Sequence, residues 1–195
     1  MSRRHRVEYS GALHHVTARG NGGARIALDR RDADRFPLLL GPVVLRQRWE
    51  LVVWSLMPNH YHLVVRTPEP NLAEGIHLLN CRISLAFRRR HGRTGHVFEG
   101  PYDAAPVDSE SHGLEVIRYV VLNPVSAGFV GRAEDWPWSS HRAAIGLAPP
   151  PPWLAWELML RWFDDRSIED GRAEYRRFVD AKAEQIRRFR RTGRE

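Results

Sequence analysis

His60 and His62 stand two positions apart in His60-Tyr61-His62-Leu63-Val64-Val65, a run with the composition of a β-strand. Alternate strand residues share a face, so both imidazoles project together while Tyr61 and Leu63 turn to the core. Two imidazoles on one face can chelate a single metal ion, or can be surface residues held by hydrogen bonds. A second set lies at helical spacing. Glu115, Tyr119 and Asn123 recur every four residues and form one ridge, apart from an apolar stripe of Leu114, Ile117 and Val121. Tyr119 offers a phenol and Asn123, one turn later, an amide; the alternative is a packed tyrosine with a surface hydroxyl and a helix-end asparagine before Pro124. Glu115 can take a phenolic proton or neutralise Arg118. A disulfide framework and a Cys-rich zinc site are excluded, since Cys81 is the only cysteine.

The elements that must position these groups follow from periodicity. Leu13-His14-His15-Val16-Thr17 reads as a strand running into the turn Arg19-Gly20-Asn21-Gly22-Gly23. From Asp29 to about Trp49 the apolar residues Phe36, Leu39, Leu40, Val43 and Val44 keep helical spacing, and Pro37 and Pro42 predict that this helix is broken or displaced. Leu51 to Leu56 and His60 to Val65 form a hairpin through Met57-Pro58-Asn59. Asn71 and Glu74 make a capping-box variant that opens a helix with Leu72, Ile76, Leu79, Ile83 and Phe87 on its buried face. That helix ends in a basic knob of Arg82, Arg88, Arg89, Arg90 and Arg93. Another strand is expected between Val97 and Val107, then a helix capped by Asp108 or Ser109 and ended by Pro124 and Gly128. Trp136-Pro137-Trp138-Ser139-Ser140 reads as a partly buried aromatic loop. The order strand, helix, strand, strand, helix, strand predicts an α+β fold: a ferredoxin-like antiparallel sheet with helices packed on it. Residues 1–147 form the expected core domain. Residues 148–195 form a Pro149–Pro152 linker and a basic helical C-terminal extension, in which Arg187, Arg188, Arg190, Arg191 and Arg194 cluster.

Composition narrows the partners. The 195 residues are 43% hydrophobic, enough for one domain with a core. Thirty basic residues against 23 acidic ones give a net charge of +7, the profile of a nucleic-acid partner. Lys182 is the only lysine, and a GC-rich genome would explain Arg in place of Lys without explaining the excess charge. No apolar run approaches the ~18 residues of a membrane span, and no signal-peptide pattern opens the chain. A cytoplasmic protein is expected.

Four motifs together point further. Met57-Pro58-Asn59-His60-Tyr61-His62-Leu63-Val64-Val65, Arg89-Arg90-His91-Gly92-Arg93-Thr94-Gly95-His96-Val97-Phe98, Arg118-Tyr119-Val120-Val121-Leu122-Asn123-Pro124-Val125 and Trp136-Pro137-Trp138-Ser139-Ser140 occur in this order. They resemble the single-tyrosine HUH transposases, in particular the branch of REP-associated tyrosine transposases, over about residues 5–146, with a weaker echo in Tyr175-Arg176-Arg177-Phe178-Val179. The resemblance implies that His60 and His62 are the metal-binding pair, Tyr119 the nucleophile and Asn123 a further ligand. It also implies that single-stranded or hairpin DNA is the substrate. A site of two imidazoles, one amide oxygen and phosphate oxygens suits Mg²⁺ or Mn²⁺. The expected reaction is DNA cleavage and strand transfer through a 5′-phosphotyrosine; the alternative is a hairpin-binding protein that no longer cleaves. The arginines at 82, 88, 89, 90, 93, 187, 188, 190 and 191 would bind the strand, with base stacking on Tyr102 or Trp138. Where relatives carry a basic residue after the Gly-rich loop, this chain has Pro101-Tyr102-Asp103. A monomer is favoured, because the C-terminal helices can cover the exposed face of the sheet.

Overall fold

A computed structural model of the chain describes residues 9–192, with only the backbone of Arg191. Strand β1 (Ala12–Arg19) leads through a 3-10 turn into helix α1 (Arg30–Arg46), and the hairpin strands β2 (Glu50–Leu56) and β3 (His60–Thr67) follow. Next come α2 (Leu72–His91), β4 (Asp103–Pro106), α3 (Glu110–Ser126), the short α4 (His141–Ala144) and α5 (Trp156–Leu160), and α6 (Ile168–Thr192). The strands pair antiparallel in the order β2-β3-β1-β4, the ferredoxin-like arrangement expected from the order of elements. Each face of the sheet carries its own core. On one, Val16, Tyr61, Leu63 and Val65 meet Phe36, Leu40 and Val43 of α1 and Ile76, Leu79 and Ile83 of α2. On the other, Val53 and Val64 meet Ile117, Val120 and Val121 of α3 and Tyr175, Val179 and Ala183 of α6. Among the described residues no helix is long and apolar enough to cross a membrane.

Several local expectations need correction. Helix α1 is unbroken although Pro37 and Pro42 lie inside it. An interior proline costs about 3 kcal/mol. Phe36, Leu40, Val43 and Val44 are all buried, and at roughly 1.5–3 kcal/mol each their burial exceeds the cost of both prolines. Pro124 likewise does not end α3, which continues to Ser126 and stops before Gly128 at φ +80°. Pro124 and Val125 are buried, so the last turn is held by packing. Asn71 sits at the N-terminus of α2 without capping it. Its amide oxygen accepts from Trp49 Nε1 at 2.7 Å and its Nδ2 donates to the Gln47 carbonyl at 3.0 Å, while Glu74 accepts from Gln47. Ser109 rather than Asp108 caps α3, accepting from the amide of His112. The strand expected between Val97 and Val107 is only the four residues of β4.

The outer edge of β2 is covered. Leu56 N donates to the Trp138 carbonyl at 2.9 Å, Ser140 N to the Trp54 carbonyl at 3.0 Å, and Ala155 N to the Leu51 carbonyl at 2.8 Å. The aromatic loop and the segment after Pro152 thus seal an edge that would otherwise present unpaired backbone groups. Trp153 lies against α1 at Gly41, where a Cβ would collide with its indole.

Candidate active site

Register decides which groups meet. In the pairing of β1 with β3, Arg19 faces His60, Thr17 faces His62 and His15 faces Val64. Odd-numbered residues of β1 and even-numbered residues of β3 therefore share the face covered by α3. His62 is 3% exposed. Its ring lies 4.8 Å from that of His60 and 5.2 Å from that of His15, centroid to centroid. His62 Nδ1 is 2.9 Å from Thr17 Oγ1 and 3.1 Å from His15 Nε2. His60 Nδ1 is 2.7 Å from Asn59 Oδ1 in the hairpin turn.

Helix α3 brings the second set. Asn123 Nδ2 lies 3.2 Å from His62 Nε2, and the same amide hydrogen-bonds His60, so it sits between the two imidazoles. Asn123 is well inside the helix, because α3 runs past Pro124. One turn earlier the Tyr119 ring stands edge-on to His62 at 5.4 Å and to His15 at 5.9 Å. It is 53% exposed, so its hydroxyl can meet a large substrate. Glu115 accepts from Arg118 Nη2 at 2.7 and 2.5 Å, so of its two sequence alternatives the structure shows the ion pair. Arg118 also lies 4.1 Å over the Phe178 ring, which ties the tyrosine helix to α6.

The imidazoles are neutral at ordinary pH. Burial, then the neighbouring His60 and His15, push His62 down to about 3. His60 is lowered by burial and then by the charge of Arg19, against the hydrogen bond to Asn123. Burial and then His112 lower His15. Neutral imidazole is the form that binds a metal ion. Among the described residues no group of three or more His, Cys, Asp or Glu side chains forms a metal cage. The donors that do converge, His60, His62 and the Asn123 amide, fit a divalent ion that keeps further positions for phosphate or water oxygens.

The arginines divide. Those at 82, 88, 89 and 93 make no ion pair among the described residues, and 88, 89 and 93 are exposed. The C-terminal end of α2 is held at the start of α1 by Arg90, and the chain beyond it passes the end of the sheet where β1 stops and β3 starts, since Asn21 N donates to the Val97 carbonyl and Gly20 N to the Asn59 carbonyl. Arg90 is engaged elsewhere, paired with Asp29 at 2.6 Å and with Asp32. On α6, Arg187 and Arg188 pair with Glu184 at 2.6 and 3.1 Å, and Arg190 lies against Gly128. The Arg191 side chain and Arg194 fall outside the description, as do Arg3, Arg4 and Arg6. Tyr102 is buried in the core at 6% exposure and offers no stacking face; Trp138 is half-buried and donates to Asp34 at 2.9 Å.

Sequence reasoning assigned no role to His15 or Thr17. Pairing β1 with β3 in register would have found them, because Thr17 lies directly across from His62. Neither the family models nor the curated proteins contain a match to this chain. Among solved structures, a REP-associated tyrosine transposase bound to a REP hairpin is similar, with a TM-score of 0.63 and 21% identity over 76% of this chain and 89% of that one. A transposase candidate from Deinococcus radiodurans R1 is similar at a TM-score of 0.44 and 16% identity, over 61% of this chain and 95% of that one. The first likeness establishes a shared fold.

Proposed function

We propose that this chain cleaves and rejoins single-stranded or hairpin DNA through a covalent link to Tyr119. The observation that carries the reading is the meeting of Tyr119 and Asn123 of α3 with His60 and His62 of β3 on one face of the sheet. The sequence motifs, the positive charge and the shared fold support the same reading.

The Tyr119 oxygen attacks a backbone phosphorus. A bond from that oxygen to phosphorus forms, and the bond from phosphorus to the 3′ oxygen breaks. The phenolic proton leaves to solvent, to which the half-exposed ring is open, and the departing 3′ oxygen takes up a proton. The products are a 5′-phosphotyrosine and a free 3′-hydroxyl. The link conserves the phosphodiester, so a second 3′-hydroxyl can reverse the step and complete strand transfer. An ordinary phenol titrates near about 10, so ionising it at neutral pH costs roughly 4 kcal/mol. His60, His62 and Asn123 would hold Mg²⁺ or Mn²⁺, which when bound withdraws charge from the attacked phosphate and is worth several kcal/mol. Asn59 and Thr17 hold the imidazoles from behind, and the unpaired arginines of α2 attract the strand toward the end of the sheet that carries His60. The reading takes the chain as a monomer, since helices cover both faces of the sheet.

The test is incubation with Mn²⁺ and a pool of labelled hairpin oligonucleotides bearing randomised single-stranded flanks. A denaturation-resistant protein–DNA adduct is expected for the wild type and none for Tyr119→Phe. Cleavage that survives in Tyr119→Phe would mean that water is the nucleophile. Tight binding without any adduct would leave a hairpin-binding module.

A further inference from the structure

A neutral imidazole carries one ring proton, and only its other nitrogen can bind a metal ion. For His62 the nitrogen turned toward His60, Asn123 and the Tyr119 helix is Nε2, so the proton must reside on Nδ1 if the ring is to serve the site. Nδ1 points the opposite way, into a pair of β1 side chains. Thr17 Oγ1 stands 2.9 Å from it and His15 Nε2 3.1 Å. Both are positioned by the sheet. Thr17 is the cross-strand partner of His62, and His15 lies two residues along on the same face, its ring stacked on His62 at 26° between planes. From the other side Asn123 Nδ2, which can only donate, meets Nε2 at 3.2 Å. The donor against Nε2 selects one tautomer, and the hydroxyl and imidazole nitrogen against Nδ1 can each accept from it.

We infer that Thr17 and His15 are positioning residues that fix His62 as its Nδ1–H tautomer, with the Nε2 lone pair directed into the site for a divalent cation. The arrangement is self-consistent. His62 Nδ1–H donates to Thr17 Oγ1 or to His15 Nε2. The threonine hydroxyl keeps its own proton for another acceptor, and His15 accepts through Nε2 and so carries its proton on Nδ1. A half-turn of the Asn123 amide exchanges Nδ2 for Oδ1 and sets an oxygen donor beside the same lone pair. His60 has its own fixing group, since Asn59 Oδ1 accepts from its Nδ1 at 2.7 Å and leaves its Nε2 for the site. Both histidines thus use Nε2, each held through Nδ1 by an oxygen from outside the ligand set, as ligating histidines generally are.

This role rests on the proposed metal site, and its test does not depend on cleavage. Long-range ¹H–¹⁵N correlation spectra of metal-free protein report which nitrogen of His62 is protonated; a His62→Gln variant assigns the signal. The wild type is expected to show Nδ1–H. Thr17→Val combined with His15→Phe keeps strand propensity and ring stacking while removing both acceptors. In that variant a substantial Nε2–H population should appear, and Mn²⁺ affinity by titration calorimetry should fall by about 10–100-fold. Thr17→Ser, which retains the hydroxyl, should restore the wild-type tautomer and affinity where Thr17→Val alone lowers them. An Nε2–H signal in the wild type, or a double variant with unchanged tautomer and unchanged affinity, would overturn the assignment. Failure to bind Mn²⁺ in the wild type would overturn the metal site and this role together. Mn²⁺ binding with the expected tautomer but no DNA adduct would refute only the proposed reaction.

Discussion

Lowering the pH from 7 to 5 should destabilise the metal-free protein far more than its carboxylates can explain. Of the three deeply buried histidines, His14, His62 and His141, two carry strongly lowered values, His62 at 3% exposure and His141 at 1%. Burial holds His62 down to about 3, and burial, opposed by Glu134, holds His141 down to about 4. In the unfolded chain each titrates near about 6.5. A base whose folded pKa lies below its unfolded value leaves the unfolded chain with more protons bound throughout the interval between them. Stability is therefore full above about pH 6.5 and declines as pH falls toward the folded value, by about 1.4 kcal/mol per pH unit per group. Between pH 7 and pH 5 this gives roughly 2 kcal/mol for each ring and about 4 kcal/mol for both. His15 and His60 are lowered too and act in the same direction. The lowered carboxylates, Asp29, Asp32 and Asp164 among them, titrate below this window. The measurement is urea unfolding with EDTA present at both pH values, on the wild type and on His141→Gln. A loss of at least about 4 kcal/mol is expected in the wild type, and about 2 kcal/mol less in the variant. Equal stability at pH 7 and pH 5 would mean that these rings are charged or solvated in the folded state, and would refute the account of the site as two neutral imidazoles.

His60→Ala should abolish adduct formation while DNA affinity stays within a few-fold, because the unpaired arginines lie on α2 and not in the ligand set; a collapse of binding in parallel assays would make His60 structural. Gly41→Ala should lose up to about 2 kcal/mol in chemical denaturation, since overpacking against Trp153 costs about 1–3 kcal/mol and the gain in helix propensity recovers about 1; a more stable variant would show that Trp153 moves aside freely. Binding of a single-stranded oligonucleotide should weaken with salt at a log–log slope near −3, from about 0.7 for each phosphate met by Arg82, Arg88, Arg89 and Arg93; a flat titration would remove those arginines from the interface.

Periodicity carried the architecture because the hairpin strands are apolar runs buried on both faces and each long helix carries an unmistakable stripe, as Leu72, Ile76, Leu79, Ile83 and Phe87 do in α2. The hairpin and the His60–His62 face followed from the same rule. What the linear pattern could not carry was the outcome of competition with tertiary packing. Pro37, Pro42 and Pro124 read as breaks, and burial on the sheet overrides each of them. Asn71 has the right neighbours for a cap and is drawn instead to Trp49 and Gln47. The site shows the same division. Asn123 and Tyr119 share a ridge by helical geometry, so their proximity was legible. That His15 and Thr17 stand behind His62 depends on strand register, which no local run of residues specifies.

The continuation of α3 through Pro124 places Tyr119 and Asn123 on a single stiff rod, one turn apart, while both imidazoles are rooted in the sheet. The distance from Tyr119 to Asn123 is then nearly invariant, and any adjustment to an incoming strand is a displacement of the whole rod over a stationary platform. Arg118, stacked on Phe178 of α6, sits beside Tyr119 at the midpoint of that rod. A substitution at Phe178 would therefore be expected to displace Tyr119 while leaving in place the strand that carries His60 and His62.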